Sequence, residues 1–410
     1  MIVLNHFLRR LIRLGSLIVI GPDGSHHRFQ GQLVANLRPC TVRLHDRRLL
    51  WSIPLNPSVA IGEAYMDGRL TLEQGSLYDF LALASANAQL FGDRISPIDM
   101  IDIWTRRFQQ WNPASRSRRN VAHHYDLSDR LYDLFLDSDR LYSCAYFPQP
   151  RMTLDQAQAA KKRHIIDKLL LEPGHRVLDI GCGWGGLALE IARRAAVNVL
   201  GVTLSEHQLR IARKRAEAAG LADRVRFELI DYRQVQGHFD RIVSVGMFEH
   251  VGIGHYGEFF AKVYGLMPAH GIALLHSIGR NGRPSSTDSW IRKYIFPGGY
   301  CPSLSEVFPP VEASGLFTTD LEILRPSHYA DTLRQWRERF VAQWPTARSL
   351  YDERFCRMWE FYLAGCEAAF RHRNLMVFQI QLARTPHAVP ATRNYMADQS
   401  FPINGLAAAQ

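Results

Sequence analysis

From residue 160 onward, short apolar runs alternate with amphipathic stretches, and no other feature of the chain narrows its possible folds so far. The runs Arg176–Ile180, Asn198–Thr203, Val225–Ile230, Arg241–Val245 and Ile272–His276 read as strands, and Gly186–Ala195, Glu206–Ala219 and Tyr256–Leu266 as helices. Strands apolar on both faces must be covered on both faces, which helices flanking a parallel sheet provide. The expected fold class is therefore α/β, a doubly wound sheet. Asp320–Leu324 and Val377–Ala383 would complete it with a final pair of strands. Between them sits an insertion, Asp331–Arg373, dense in Trp336, Phe340, Trp344, Phe355, Trp359, Phe361, Tyr362 and Phe370. It is expected to form a helical cap whose aromatic side chains either fill a core or roof a pocket at the carboxyl edge of the sheet.

At 410 residues the chain has room for a second unit. Apolar residues at helical spacing between Leu4 and Ile20, with Arg9, Arg10 and Arg13 on the other face, suggest an amphipathic helix. Such a helix lies either on a membrane surface or against its own protein. Strand-like runs Gln32–Leu37 and Cys40–Leu44 and a helical stretch Leu77–Asn87 complete a small amino-terminal α+β module over residues 1–90. The basic, breaker-rich Asn112–Asn120 marks 91–120 as a linker, 121–385 as the main domain and 386–410 as a loosely ordered tail. Lys and Arg outnumber Asp and Glu by 49 to 39, which favours phosphate-bearing partners, nucleic acid or anionic lipid. The arginines interrupt the one opening segment apolar enough to suggest a bilayer span or secretory leader. Cysteines 40, 144, 182, 301, 356 and 366 are scattered, which indicates neither a metal site nor a disulfide framework and fits a reducing cytoplasm.

The segment Val177-Leu-Asp-Ile-Gly-Cys-Gly-Trp-Gly-Gly186 carries a buried strand into a glycine-rich turn and a helix, where backbone can approach a ligand without a Cβ in the way. Gly181, Gly183 and Gly186 satisfy the dinucleotide spacing. A dinucleotide site also wants an acidic residue at the end of the second strand, and this strand ends in Thr203-Leu-Ser205. Asp179 is placed instead to attract the ammonium of a methionine moiety, which makes S-adenosylmethionine the better reading and the sheet class I methyltransferase-like. Asp231-Tyr232 closes the third strand, where an adenine would lie, although a turn Asp reads the same way. Glu249 and His250 follow the fourth strand and His276 the fifth, so three ionisable groups converge at one edge.

Together these residues resemble the cyclopropane-fatty-acyl-phospholipid synthase family, relatives of the mycolic acid cyclopropane synthases. The likeness is carried by Tyr125-Asp-Leu-Ser128, Tyr142-Ser-Cys-Ala-Tyr-Phe147, the glycine loop, Gly201-Val-Thr-Leu-Ser205 with Gln208, and Gly246-Met-Phe-Glu-His-Val-Gly252. Tyr294-Ile-Phe-Pro-Gly-Gly299 and Tyr362-Leu-Ala-Gly-Cys-Glu-Ala-Ala-Phe-Arg371 are more particular to it. The resemblance implies methylene transfer from S-adenosylmethionine to the cis double bond of an unsaturated phospholipid acyl chain, through a carbocation that Trp359, Phe361 and Tyr362 could stabilise. It implies a bound bicarbonate as base, held by the side chains of Glu249, His276 and Tyr362 and by backbone at Cys144 and Ile278. Cys366 is a matched position, read as a small residue packed on a helix. Cofactor contacts are implied for Tyr142, Ser143, Asp179, Gly181, Cys182, Gly183, Gly186, Thr203, Leu204, Ser205, Gln208, Asp231 and Tyr232. His124–Phe147 would form a lid, with Leu131, Leu134 and Phe135 either lining the acyl path or simply packing. The scattered cysteines favour a cytoplasmic protein, and the added amino-terminal module suggests a homodimer. The basic surplus and amphipathic start without a spanning segment suggest peripheral association with the inner face of the cell membrane, with no nucleic-acid partner. Rival readings are a methyltransferase leaving a methyl branch, a methylene group or a hydroxylated product, and a non-catalytic lipid- or nucleic-acid-binding relative.

Overall fold

The computed structural model describes residues 1–91 and 128–396 together with Thr105. The expected linker lies outside these residues except for Phe91 and Thr105, as do His124–Leu127 of the expected lid and 397–410 of the expected tail.

Helix α1 (Ile2–Leu11) leads into β1 (Ser16–Ile20), β2 (His26–Gln30) and β3 (Cys40–Leu44), followed by α2 (Leu49–Leu55), α3 (Pro57–Met66), β4 (Leu70–Gln74) and α4 (Leu77–Phe91). The strands form one sheet in the order β2-β1-β3-β4. Two expectations are corrected here. The helix expected to reach Ile20 stops at Leu11, Gly15 turns the chain at φ +72°, and Ser16–Ile20 pairs on both sides as a strand. The β-branched run SLIVI suits a pleated surface better than a helix. The strand expected at Gln32–Leu37 is His26–Gln30 instead, and Gln32 keeps only an isolated bridge to Leu14. This edge strand buries Phe29 alone, so it carries little hydrophobic pattern. Helix α1 turns Leu4 and Leu8 inward, so the amphipathic start packs on its own protein.

The main domain begins with α5 (Asp129–Asp133) and α6 (Leu154–Leu169). It continues through β5 (Arg176–Ile180), α7 (Gly186–Arg194), β6 (Asn198–Thr203), α8 (Glu206–Ala218), β7 (Val225–Leu229), β8 (Arg241–Val245), α9 (Tyr256–Leu266) and β9 (Ile272–Arg280). Then come α10 (Ser289–Tyr294), α11 (Leu304–Ser314), β10 (Phe317–Leu324), the cap helices α12 (Pro326–Ala342), α13 (Trp344–Leu350) and α14 (Glu353–His372), and β11 (Leu375–Ala383). The seven strands run β10-β11-β9-β8-β5-β6-β7, with β5 to β9 parallel and β11 antiparallel to both its neighbours. The winding reverses at β5, between β6 and β8, which opens a crevice at the carboxyl ends of the strands. Strand β9 outruns its expected end at His276 because β11 pairs with it as far as Arg280.

One apolar cluster joins the amino-terminal module, α5 and the cap. Glu63 accepts from Lys293 at 2.6 Å and Tyr294 at 2.7 Å, Tyr65 donates to Glu360 at 2.6 Å, and Arg354 pairs with Asp67 at 2.9 Å. Gly62 lies so close to Trp290 that a Cβ would come within 2.3 Å of the indole nitrogen. The tail is not loose where it is described. Arg393 pairs with Asp320 at 3.0 Å and the Tyr395 hydroxyl donates to Gln381 at 3.1 Å, which docks it on β10 and β11.

Candidate active site

The crevice is lined at its base by the turn after β5. Gly181 and Gly183 hold φ of +82° and +54°, and a Cβ on Gly183 would meet nothing within 4 Å, which is open room for a ligand against bare backbone. Asp179 is buried at the end of β5, and its Oδ2 has no partner among the described residues. Burial alone lifts its carboxyl to about 7. A buried acceptor left unpaired is costly, and it is explained if a cationic ligand group completes it. These residues fit S-adenosylmethionine.

Of the residues expected at the cofactor, Tyr142, Ser143, Asp179, Gly181, Cys182, Gly183, Gly186, Thr203, Leu204, Gln208, Asp231 and Tyr232 line this one cavity. Ser205 does not. Its hydroxyl caps α8, accepting from the Gln208 N–H at 3.3 Å, so it shapes the loop from behind. Thr203 donates to Gln208 Oε1 at 2.9 Å, holding the loop after β6. Asp231 is engaged by the Arg233 guanidinium at 2.8 and 2.6 Å, so much of its carboxylate is committed within the chain.

A second, larger cavity of about 2540 Å³, solvent at its mouth included, shares Tyr142, Ser143, Gly246 and His250 with the crevice. All six expected chemical residues line it: Cys144, Glu249, His276, Ile278, Tyr362 and Cys366. Past them its wall is mainly apolar. Phe361, Tyr362, Gly365, Cys366, Ala369 and Phe370 present one face of α14, and Phe7, Leu8 and Leu11 of α1 stand with Leu81, Ala84 and Ala88 of α4.

Glu249 sits in a 3-10 turn after β8, where its Oε1 accepts the Ile278 N–H at 2.7 Å. Beyond the end of β8 nothing in the sheet claims that N–H, so the extension of β9 orients the carboxyl. The Ile278 N–H expected at a bound anion is therefore already engaged. Glu249 Oε2 is buried without a partner among the described residues, and burial lifts the acid to about 7. His276 lies two residues before Ile278 and on the same face of β9. Burial, with Lys161 and Lys168 nearby, pushes it down to about 3, so it is neutral. The Tyr362 and Tyr142 hydroxyls share a hydrogen bond of 2.8 Å, joining the two cavities, and burial raises the Tyr362 phenol. Burial also raises the thiols of Cys366 and Cys144, the latter to about 12, so neither is a thiolate.

One expectation changes, one open alternative resolves to packing, and one cavity residue was missed. Trp359 lines neither cavity but is buried among Tyr132, Phe135 and Phe355, because its side of α14 faces the core. Leu131 and Phe135 are fully buried in the same cluster, and with Leu134 they lie outside both cavities. Phe296, not singled out in the sequence, lines the larger cavity edge-on to Tyr362 at 5.8 Å.

Lys161 was also missed. It is fully buried on α6, lines the cofactor crevice and donates to Ser143 Oγ at 2.7 Å. Burial lowers its ammonium to about 8. Gln158, one turn earlier, donates to the carbonyls of Leu141 at 3.1 Å and Ser143 at 3.0 Å. The spacing of two polar residues on one α6 face is the available signal, but it looks like a solvated stripe until the segment from Leu141 to Ser143 is seen lying on it.

The sheet order and the cofactor crevice define a class I S-adenosylmethionine-dependent methyltransferase. The model of the mycolic acid cyclopropane synthetase family matches residues 113–380. The chain belongs to that family. It is 36% identical to the cyclopropane-fatty-acyl-phospholipid synthase of Escherichia coli K12, over 88% of this chain and 94% of the relative. It is likewise 36% identical to a probable fatty acid methyltransferase of Pseudomonas putida, over 87% of this chain and 91% of that one. Among solved structures, mycolic acid cyclopropane synthase CmaA1 complexed with SAH and CTAB superposes with a TM-score of 0.62 at 36% identity, covering 66% of this chain and 99% of the other.

Proposed function

We propose that this chain is a cyclopropane-fatty-acyl-phospholipid synthase, with bicarbonate as the base. The observation that carries the reading is the apolar cavity that opens from the cofactor crevice and passes Glu249, His276 and Tyr362 before reaching the amino-terminal module. An acyl chain lying in it has its double bond beside the crevice and water excluded around it. When bound, S-adenosylmethionine supplies an electrophilic methyl group. Tyr142, Ser143, Asp179, Gly181, Gly183, Thr203, Gln208 and Tyr232 are the residues that would hold it. Phe296, Phe361 and Tyr362 present aromatic faces that stabilise positive charge on the acyl chain. Ring closure then needs a proton removed from the new methyl group. Glu249 Oε2, His276 and the Tyr362 hydroxyl can bind a small planar anion that carries its own proton, the carboxylate accepting and the other two donating.

The amino-terminal module closes the far end of the acyl cavity in this reading, and the enzyme works as a homodimer at the inner face of the membrane. No helix among the described residues is long and apolar enough to cross a bilayer. Helix α2 instead exposes Trp51 (63%) and Leu55 (59%) one turn apart, behind exposed Arg47 and Arg48, a face suited to an anionic surface.

The test is turnover on unsaturated phospholipid vesicles in bicarbonate-depleted buffer, then with bicarbonate restored, with the product identified by NMR. A cyclopropane whose formation rises with bicarbonate is expected, and Glu249→Gln, His276→Ala and Tyr362→Phe should each lower turnover while cofactor affinity stays near that of the parent. An enzyme indifferent to bicarbonate, yet inactivated by one of these changes, would make that residue the base. A methyl-branched or methylene product would remove the ring-closing role.

A further inference from the structure

Strand β11 reads Leu-Met-Val-Phe-Gln-Ile-Gln-Leu-Ala, and its first glutamine, Gln379, is fully buried and directly opposite His276 across the ladder. Its amide lies 3.0 Å from His276 Nδ1 on one side and 2.8 Å from Lys168 Nζ on the other. A lysine ammonium has donors and no acceptor, so only the amide oxygen can face it. The amide nitrogen must then face the imidazole. A nitrogen that receives an N–H cannot carry a hydrogen of its own, so Nδ1 is the bare nitrogen of the ring. Hydrogen positions are thus fixed by chemistry at a place where distances alone would leave them open.

The device is anchored from behind. Lys168 is fully buried on α6, donates to the Glu322 carboxylate of β10, and lies 3.7 Å from Asp320. Glu322 also accepts from His164 of α6 at 2.6 Å, and Gln381 donates to the Lys168 carbonyl at 2.6 Å. Among the described residues, the charged and titratable groups around His276 include Lys161, His164 and Lys168 on α6, Glu322 on β10, and Glu249, whose carboxyl is held by the β9 backbone two residues further on.

We propose that Gln379, held by Lys168, is a positioning residue that locks His276 as the neutral tautomer protonated on Nε2, so that the imidazole meets the reacting site as a hydrogen-bond donor and never as its base. The chemical use of that donor rests on the proposed acyl and bicarbonate site, whereas the tautomer itself does not. A neutral donor suits an anion that must keep its basicity, since a full positive charge beside it would lower its proton affinity. Outer partners orient metal-bound imidazoles in the same way, and losing them there costs roughly tenfold to a hundredfold in metal affinity or activity, the order of loss expected here.

The experiment uses the full-length enzyme. Nitrogen-15 NMR of the His276 ring, assigned with His276→Gln, should show a protonated Nε2 and a bare Nδ1 at neutral pH, without any substrate. Gln379→Glu places an acceptor against Nδ1, and it should move the proton there or create an imidazolium. Turnover should fall roughly tenfold to a hundredfold with S-adenosylmethionine affinity unchanged, and the acidic limb of the rate profile should move to higher pH. Gln379→Met keeps the bulk without the donor and should lose less, with a smaller shift of the acidic limb in the same direction. A proton on Nδ1 in the parent enzyme overturns the proposal. So do folded Met and Glu variants that both keep turnover within about twofold and the parental pH profile. If the Glu variant does not fold, the parental tautomer and the Met variant decide. Should bicarbonate prove irrelevant while Nε2 carries the proton, the positioning stands and the identity of the base falls.

Discussion

Replacing Asp179 by Asn separates what the crevice costs the fold from what it does for the cofactor. In the cofactor-free protein the carboxyl sits at about 7 against an ordinary 3.8, and burial is its sole cause. At about 1.4 kcal/mol per unit, some three units amount to about 4 kcal/mol, an upper estimate because water and side chains relax around a buried charge. The sign follows from a raised acid. The folded state binds the proton more tightly than the unfolded one, so the penalty is absent below about pH 4, grows as pH rises toward 7 and is constant above. Asn carries no charge, so the variant should be more thermostable than the parent at pH 8, by several degrees, with the gap closing toward pH 4. Glu249 imposes a similar pH dependence, but it is common to both proteins and cancels in the difference.

With cofactor the order reverses. An ammonium held by Asp179 needs the ionised carboxylate, so below pH 7 binding must expel a proton, and affinity should fall about tenfold per pH unit. In the Asn variant affinity should be weaker and nearly flat with pH. Scanning calorimetry of the free proteins and titration calorimetry in buffers of different ionisation enthalpy measure both effects. An Asn variant less stable than the parent at pH 8 that binds S-adenosylmethionine equally well would refute the reasoning, because the carboxyl would then be a structural hydrogen-bonding group.

Gly183→Asn should remove measurable cofactor binding while the far-ultraviolet circular dichroism stays parental, because asparagine tolerates φ +54° better than other side chains and its amide enters open crevice; retained affinity would place the ligand elsewhere. Lys161→Met should weaken cofactor binding about tenfold through loss of its contact to Ser143 and of a cation facing the crevice; unchanged affinity in titration calorimetry would make the lysine purely structural. The pair Trp51→Ser and Leu55→Ser should reduce sedimentation with anionic vesicles several-fold at low salt and leave turnover on detergent-dispersed lipid intact. Equal vesicle binding by parent and variant would move the membrane contact away from α2.

The parallel strands were legible because burial on both faces leaves a near-continuous apolar run, and β5, β6 and β8 begin and end where their sequences change character. Where a segment is only half buried the pattern thins. His26–Gln30 hides one residue and reads as loop, while the apolar positions from Leu4 to Ile20 continue at a spacing that a helix joined to a strand also satisfies. Side-chain direction set a second limit. Trp359 and Tyr362 are three apart on α14, yet one joins the core and the other the cavity, and only the packing of the cap against α5 decides which. The glycine loop, Glu249, His276 and Tyr362 were found because their residue types are unusual where they stand. Gln158, Lys161 and Lys168 escaped because polar residues on a helix ordinarily face water, and burial under the segment from Leu141 to Ser143 and against β9 to β11 is a property of the tertiary fold. Gln379 lies between these cases. A glutamine in an otherwise apolar central strand must find partners or destabilise the sheet, so the type of residue announced a buried polar contact. Its two partners lie 211 and 103 positions away in the chain. Only folding brings Lys168 to one end of that amide and His276 to the other, and this is why the protonation of a buried imidazole can be argued from the structure but not from the string of residues.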